Sequence, residues 1–175
     1  MPLLAVTRTY LEMRSPRDLS PAREPAPGPR IERVGGCPAS FFRYLYGEVG
    51  RTYHWTDRLA WTDADIAGYL EDGRVTLHVL YVEHAPAGYY ELRRHEDGSV
   101  EIAYFGLLPE YTGRGLGGWL LTRAVADAWA RGAVRVWLHT CTLDHASALP
   151  NYLKRGFRQY KQETYEVEAA ERMSG

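Results

Sequence analysis

Four glycines, Gly113, Gly115, Gly117 and Gly118, crowd one turn of this chain and limit its fold more than any other feature. They lie in the stretch EIAYFGLLPEYTGRGLGGW, from Glu101 to Trp119. Val100, Ile102, Tyr104 and Phe105 are β-prone and make a short strand, which Pro109 ends because it has no N–H for a ladder. The glycines then open an apolar-periodic helix, where they destabilise unless the backbone needs room. A phosphate supplies that need. Without Cβ atoms, first-turn N–H groups close on an anion, the helix dipole favours its charge, and Arg114 adds a fixed cation. The plain alternative is a strand-to-helix turn with surplus glycine. A P-loop is excluded, since no Gly-Lys-Ser/Thr follows. A dinucleotide fingerprint also fails, because the strand does not open a βαβ unit and no acidic residue ends a strand near Leu138.

Upstream, residues 3–13 favour extended backbone through Val6, Thr7, Thr9 and Tyr10. Proline at Pro16, Pro21, Pro25, Pro27 and Pro29 then denies helix or central strand, giving a linker or an extended strap. Residues 1–29 therefore read as either a disordered tail or an edge strand of the main sheet, set apart from a folded domain over 30–175. That domain restarts with an alternating strand over 30–34 and a helix from Cys37-Pro38 or Ser40, which turns Phe41, Phe42, Leu45, Tyr46 and Val49 inward. Thr62 caps a second helix. Between these helices, Tyr53, His54, Trp55, Arg58 and Trp61 make either a packed lid or a wall of an acceptor pocket, where aromatic faces and Arg58 orient a ligand.

Three antiparallel strands follow, over 75–82, 88–94 and 99–107, with turns at 83–86 and 95–98. The helix after the glycines presents a wide apolar stripe that ends at Arg131-Gly132. A strand over 134–140 leads to LDHASALPNYLKRGF, a helix capped by Ser147 and stopped by Gly156, and the final strands run from Phe157 to Val167.

Thr112-Gly113-Arg114-Gly115-Leu116-Gly117 resembles the acetyl-CoA-binding motif Gln/Arg-x-x-Gly-x-Gly/Ala of the GNAT superfamily of N-acetyltransferases, with Thr112 in place of the usual first residue. A second pattern of that family, Asn-x-x-Ala-x-x-Leu-Tyr-x-x-x-Gly-Phe, is similar to His145, Ala148, Tyr152, Gly156 and Phe157. Here His145 stands where asparagine is usual, and Asn151 where an apolar residue is. The resemblance implies an α/β (α+β) fold, a mixed and mostly antiparallel sheet of about six or seven strands flanked by about four helices. It also implies acetyl-CoA as cofactor. Contacts would come from Phe105, Leu107, Thr112, Gly113, Arg114, Gly115, Leu116, Gly117, Gly118 and His145, with splayed backbone over 105–108 offering N–H groups to the pantetheine and the thioester carbonyl.

Acyl transfer to an amine also needs a base and an acid. A protonated alkyl amine has a pKa near ~10, so some group must accept its proton. Glu101 stands where the family's histone-modifying branch keeps its general base, and Glu91 on the neighbouring strand is its rival, as base or substrate contact. Either is otherwise a solvated carboxylate. Tyr152 matches the tyrosine that protonates the leaving thiolate in many members, or it simply packs. His145, His139 and His78 are candidate proton carriers, though a histidine without a visible partner is more often structural. Cys141 has no adjacent base, and direct transfer in a ternary complex is what the family implies, so a covalent acyl-enzyme is rejected.

A formal net charge of -1 argues against a non-specific nucleic-acid surface. No apolar run reaches membrane-span length, and the N-terminus is unlike a signal peptide, so the expected location is the cytoplasm with no membrane partner. Two cysteines far apart indicate neither a disulfide framework nor a zinc site, and no metal is expected. The expected acceptor is an amine on a small molecule or a peptide. Trp55 and Trp61 suit a pocket or a dimer contact, so a homodimer stays open. A non-catalytic acyl-CoA sensor, and a nucleotide-binding or scaffold protein whose aromatic surface recruits a partner, are the competing functions.

Overall fold

The computed structural model describes residues 2–26 and 28–169. Pro27 of the proline-rich strap, Met1, and residues 170–175 of the expected second domain lie outside them. Seven strands form one sheet: β1 (Leu3–Met13), β2 (Arg30–Arg33), β3 (Val75–Val82), β4 (Ala85–Arg94), β5 (Val100–Leu107), β6 (Val136–Cys141) and β7 (Arg158–Glu168). Their order is β2-β3-β4-β5-β6-β1-β7, and every neighbouring pair is antiparallel except β5 and β6. Four helices flank it: α1 (Ala39–Gly50), α2 (Asp63–Glu71), α3 (Leu116–Ala130) and α4 (Ala148–Arg155).

The parallel pair creates the site. Its ladder holds only at Val100 with Val136 and at Glu101 with Trp137. Beyond those residues β5 stays with β4 and β6 stays with β1, so the two strands part into a fork. Leu116, Leu120, Leu121, Ala124, Val125 and Ala128 of α3 are buried in one cluster with Leu92, Ile102, Val136 and Leu138 from the sheet. Leu45 and Val49 of α1 pack with Leu77, Val79 and Tyr89 in a second cluster.

The N-terminal strand is a correction. Rather than an edge, β1 is interior, pairing with β6 over Arg8–Met13 and with β7 over Leu3–Glu12. Val6, Leu11 and Met13 are almost wholly buried, which an edge would not require. The following strap is seated on the helices: Ser15 forms a capping box with Asp18, the Ser20 N–H donates to the Arg155 carbonyl at 2.8 Å, and the Ala22 N–H donates to Thr122 Oγ1 at 2.9 Å.

Smaller differences have local reasons. The β3–β4 turn is tighter than expected, with Glu83 (φ 50) and His84 (φ 72) both left-handed, as a two-residue hairpin turn requires. Val134 lies outside β6 and is 64% exposed. Among the described residues one strand, β7, follows α4 rather than several.

His78 of β3 is buried against the ring of Tyr90, with centroids 4.7 Å apart, and its Nε2 lies 3.0 Å from Thr76 Oγ1. Desolvation lowers its pKa to about 4, with Arg33 and Arg131 adding to the effect and Asp127 opposing it. The unfolded chain therefore takes up a proton near pH 6.5 that the folded chain refuses until about pH 4, so stability falls as pH drops through that window. Urea unfolding at pH 7 and pH 5 should differ by about 2 kcal/mol from this group. His78→Gln should remove that part of the slope.

Candidate active site

Two cavities open on the fork. The smaller, about 290 Å³, lies between the end of β5, the start of α3 and α4, and is lined by Leu107, Thr112, Gly113, Gly117, Gly118, His145 and Asn151. The larger, about 520 Å³, lies between the fork and the segment joining α1 to α2, and is lined by Trp55, Arg58, Glu101, Tyr104, His139 and Asp144 among others. Tyr53, Phe105 and Tyr152 line both, so the cavities meet at these three side chains.

The smaller cavity is built for an anion at one end. Gly115 (φ 75) precedes α3 in a left-handed conformation and no side chain caps the helix, leaving its first-turn N–H groups without an intrahelical acceptor. A Cβ at Gly117 would reach ordinary contact with Asn151 and Leu107 across the groove. Asn151 Nδ2 donates to the Gly117 carbonyl at 3.2 Å and ties α4 to α3. On the fork side, the Leu107 N–H faces the Tyr53 hydroxyl. This groove fits the diphosphate and arm of coenzyme A: donors without Cβ atoms at one end, a backbone N–H farther in.

The expected cofactor residues divide. Phe105, Leu107, Thr112, Gly113, Gly117, Gly118 and His145 line the groove. Arg114 is exposed, its guanidinium over the Tyr111 ring at 5.2 Å, and the Leu116 side chain is buried in the core, so Leu116 has only its backbone to offer. Ser147 makes no side-chain cap on α4. Its N–H instead donates to His145 Nδ1 at 3.1 Å. His145 thus performs the local turn bond that an asparagine could make.

Tyr152 is 7% exposed, and its ring meets Phe105 and Phe157 edge to face. Burial, helped by the charge of Asp144, pushes its phenol far above the ordinary tyrosine range, so it keeps its proton. Glu101 lines the larger cavity and its Oε1 lies 2.9 Å from His95 Nε2. It stands at the closed end of the fork. Three residues lie between it and Phe105, Ala103 among them as a bulge, a strand length of roughly 10 Å.

Glu91 is corrected. It is fully buried, and Arg58 Nη1 donates to both its oxygens, at 2.9 and 2.7 Å. Burial pushes the Glu91 carboxyl up and the guanidinium pulls it back. Desolvation also works against the Arg58 charge, which Glu91 more than offsets. Glu91 lines neither cavity, and Arg58 borders the larger one with its charge already matched. The guanidinium lies 4.1 Å from the Tyr104 ring, 4.3 Å from Tyr69 and 4.7 Å from Trp61. Trp55 packs edge-on against Tyr104 at 4.8 Å and borders the cavity.

The profile of the acetyltransferase (GNAT) family matches residues 40–157, more than half of the chain. The chain belongs to the GNAT family. Uncharacterized N-acetyltransferases of Mycobacterium bovis and Mycobacterium tuberculosis are 34% identical to this GNAT chain over 97 residues, 55% of this chain and 62% of theirs. It thus spans under two thirds of those relatives. A GCN5-related N-acetyltransferase from Kribbella flavida superimposes with a TM-score of 0.66 at 22% identity, over 94% of this chain and 58% of that one. An acetyltransferase from Bacillus subtilis, solved in complex with CoA, superimposes with a TM-score of 0.55 at 24% identity, over 74% of this chain and 76% of that one. These neighbours share the GNAT fold. Among the described residues no helix is long and apolar enough to cross a membrane, and no group of three or more His, Cys, Asp or Glu side chains is placed to hold a metal ion.

Local spacing placed Tyr53 in a lid or pocket wall but not at the junction of the two cavities, and it missed His95, the partner of Glu101. Both become visible only once the strands are paired.

Proposed function

We propose that this chain is an acetyl-CoA-dependent N-acetyltransferase that moves an acetyl group directly to a primary amine of a small molecule or a protein. The observation that carries this reading is the meeting of an anion-ready groove and a polar cavity at Tyr53, Phe105 and Tyr152. A cofactor in the groove would end where an acceptor in the cavity begins. The CoA complex of the Bacillus subtilis neighbour supports the choice of cofactor.

Bound acetyl-CoA would supply an acyl group already activated as a thioester. Amides of Gly113, Gly117 and Gly118 would hold its diphosphate, with Arg114 adding charge from solvent. The Leu107 N–H would face the thioester carbonyl once Tyr53 turns aside. Tyr152, protonated and at the junction, would hand its proton to the departing thiolate. Glu101, too far along β5 to touch an amine at the junction, would take the released proton across the cavity through water and pass it to His95, whose side chain is 34% exposed. Trp55 and Tyr104 would form the apolar wall for the acceptor.

Calorimetry with CoA tests the groove. Gly117→Leu should fill it and weaken CoA binding at least tenfold without lowering the melting temperature, since a helical glycine is replaced by a better helix former. Tyr152→Phe should bind CoA normally and slow turnover about tenfold or more under chemistry-limited conditions. A wild-type protein that takes up no CoA would sink the proposal.

A further inference from the structure

One carboxylate in the larger cavity has no part in the scheme above. Asp144 lies in the turn after β6, and its Oδ2 accepts from the Thr140 hydroxyl at 2.5 Å and from the Cys141 N–H at 3.0 Å. Both donors hold the same oxygen. Oδ1 has no hydrogen-bond partner among the described residues, and the residue borders the cavity.

Its height in the fork is set by strand register. Glu101 pairs with Trp137 at the closed end of the fork, and Cys141, the residue whose N–H holds Asp144, lies four residues further along β6. Asp144 therefore lies towards the open end of the fork and borders the larger cavity with Tyr53, Phe105 and Tyr152, while Glu101 stands at the closed end. The Asp144 charge acts on both Tyr53 and Tyr152, the junction side chains. A carboxylate pinned by one oxygen, with the other free on a residue that borders the larger cavity, suits an incoming ammonium.

We propose that Asp144 receives the ammonium group of the acceptor on Oδ1 and takes its first proton. This rests on the transferase reading above. The carboxylate gains one proton and the amine becomes neutral. Its nitrogen then bonds to the thioester carbon as the carbon–sulfur bond breaks, the thiolate leaves with the Tyr152 proton, and the second amine proton returns to Tyr152. Asp144 releases its proton through the cavity towards Glu101, so one proton reaches solvent per acetyl group moved. His139 on β6, level between Trp137 and Cys141, stands along that route.

Several charges bear on Asp144. Burial raises its pKa above the ordinary carboxylate value, while Thr140, Cys141, His139 and His54 act the other way. Tyr53 from the α1–α2 segment, Tyr152 from α4 and Arg8 from β1 border the same cavity. The kcat/KM profile should therefore rise with pH through an acidic limb displaced upwards from that of a free carboxyl.

Asp144→Asn preserves an oxygen for Thr140 and Cys141 but turns a donor towards the ammonium. The probes are phenethylamine and spermidine, titrated into CoA-loaded protein by calorimetry and then turned over with acetyl-CoA. The variant should bind the better probe at least tenfold more weakly, lose about 100-fold in kcat/KM, and lack the acidic limb. CoA affinity should stay within about twofold of wild type, since the groove is untouched. Asp144→Glu should recover part of the binding. Wild-type amine affinity in Asp144→Asn, a persisting acidic limb, or no uptake of either amine by the wild-type protein would overturn the proposal. Failure to bind CoA would instead strike the transferase reading, so the two failures are separable.

Discussion

Arg58→Met should destabilise the fold by about 3–5 kcal/mol, the range expected when one partner of a buried ion pair is removed. Glu91 has no exposed surface and both of its oxygens are satisfied by Arg58 Nη1, so the substitution leaves a desolvated carboxylate beside aromatic rings. The protein escapes part of this by protonating Glu91. A carboxyl whose folded pKa is raised opposes stability above its unfolded pKa, so the deficit should grow as pH rises above about 4.3 and shrink below it. Arg58→Met/Glu91→Leu removes both charges and should recover most of the loss, because apolar side chains of similar volume replace buried ion pairs well. The same arginine fastens the α1–α2 segment to β4 beneath Tyr104 and Tyr69, so the single variant should also loosen Tyr53 and Trp55 and alter acceptor binding before CoA binding. Urea unfolding at pH 7 and pH 4.5 measures all three proteins. A single variant within 1 kcal/mol of wild type, with no pH dependence of its own, would mean that the pair contributes little.

Which parts of this site are legible in the sequence follows from how local each determinant is. Gly113, Gly115 and Gly156 each adopt positive φ, a demand that one residue type announces by itself. Thr62 and Asp65 form the capping box that their spacing suggests. The choice between Glu91 and Glu101 is different in kind. Both sit on neighbouring strands among β-prone residues, but the β4–β5 register shifts between Glu91 and Leu92, so simple alternation does not carry through to the face each occupies. Glu91 enters the core, and Glu101 lines the cavity. The place of β1 is also non-local: five prolines after it suggest a detached strap, while its neighbours β6 and β7 lie more than a hundred residues away. Asp144 is visible only after the fork exists, since it borders a cavity that forms where β5 and β6 part.

Gly156→Ala should be the most damaging glycine substitution around the cofactor groove, by about 3 kcal/mol or more, since it combines two costs. The first is conformational: φ is +108°, where an L side chain is strained. The second is a collision, because an added Cβ would lie 1.9 Å from the Asp18 carbonyl oxygen and 3.0 Å from its carbon. Backbone cannot swing aside as a side chain can. Asp18 belongs to the capping box with Ser15, and two residues later the Ser20 N–H holds the Arg155 carbonyl, so relief requires lifting the strap from α4. The strap also meets Gly118 through Ala22, and α4 carries Tyr152 and the Asn151 bond to Gly117. Lost stability and a displaced CoA groove should therefore appear together. Gly132→Ala separates the two costs: its φ is +81° but nothing lies within 4 Å of the new Cβ, so it should lose only about 1 kcal/mol. Urea unfolding and CoA calorimetry on both variants measure the difference. Equal losses with CoA affinity intact would show that the strap does not hold α4 in place; a larger loss at Gly156 with weakened CoA binding would make the proline-rich segment a structural part of the cofactor site.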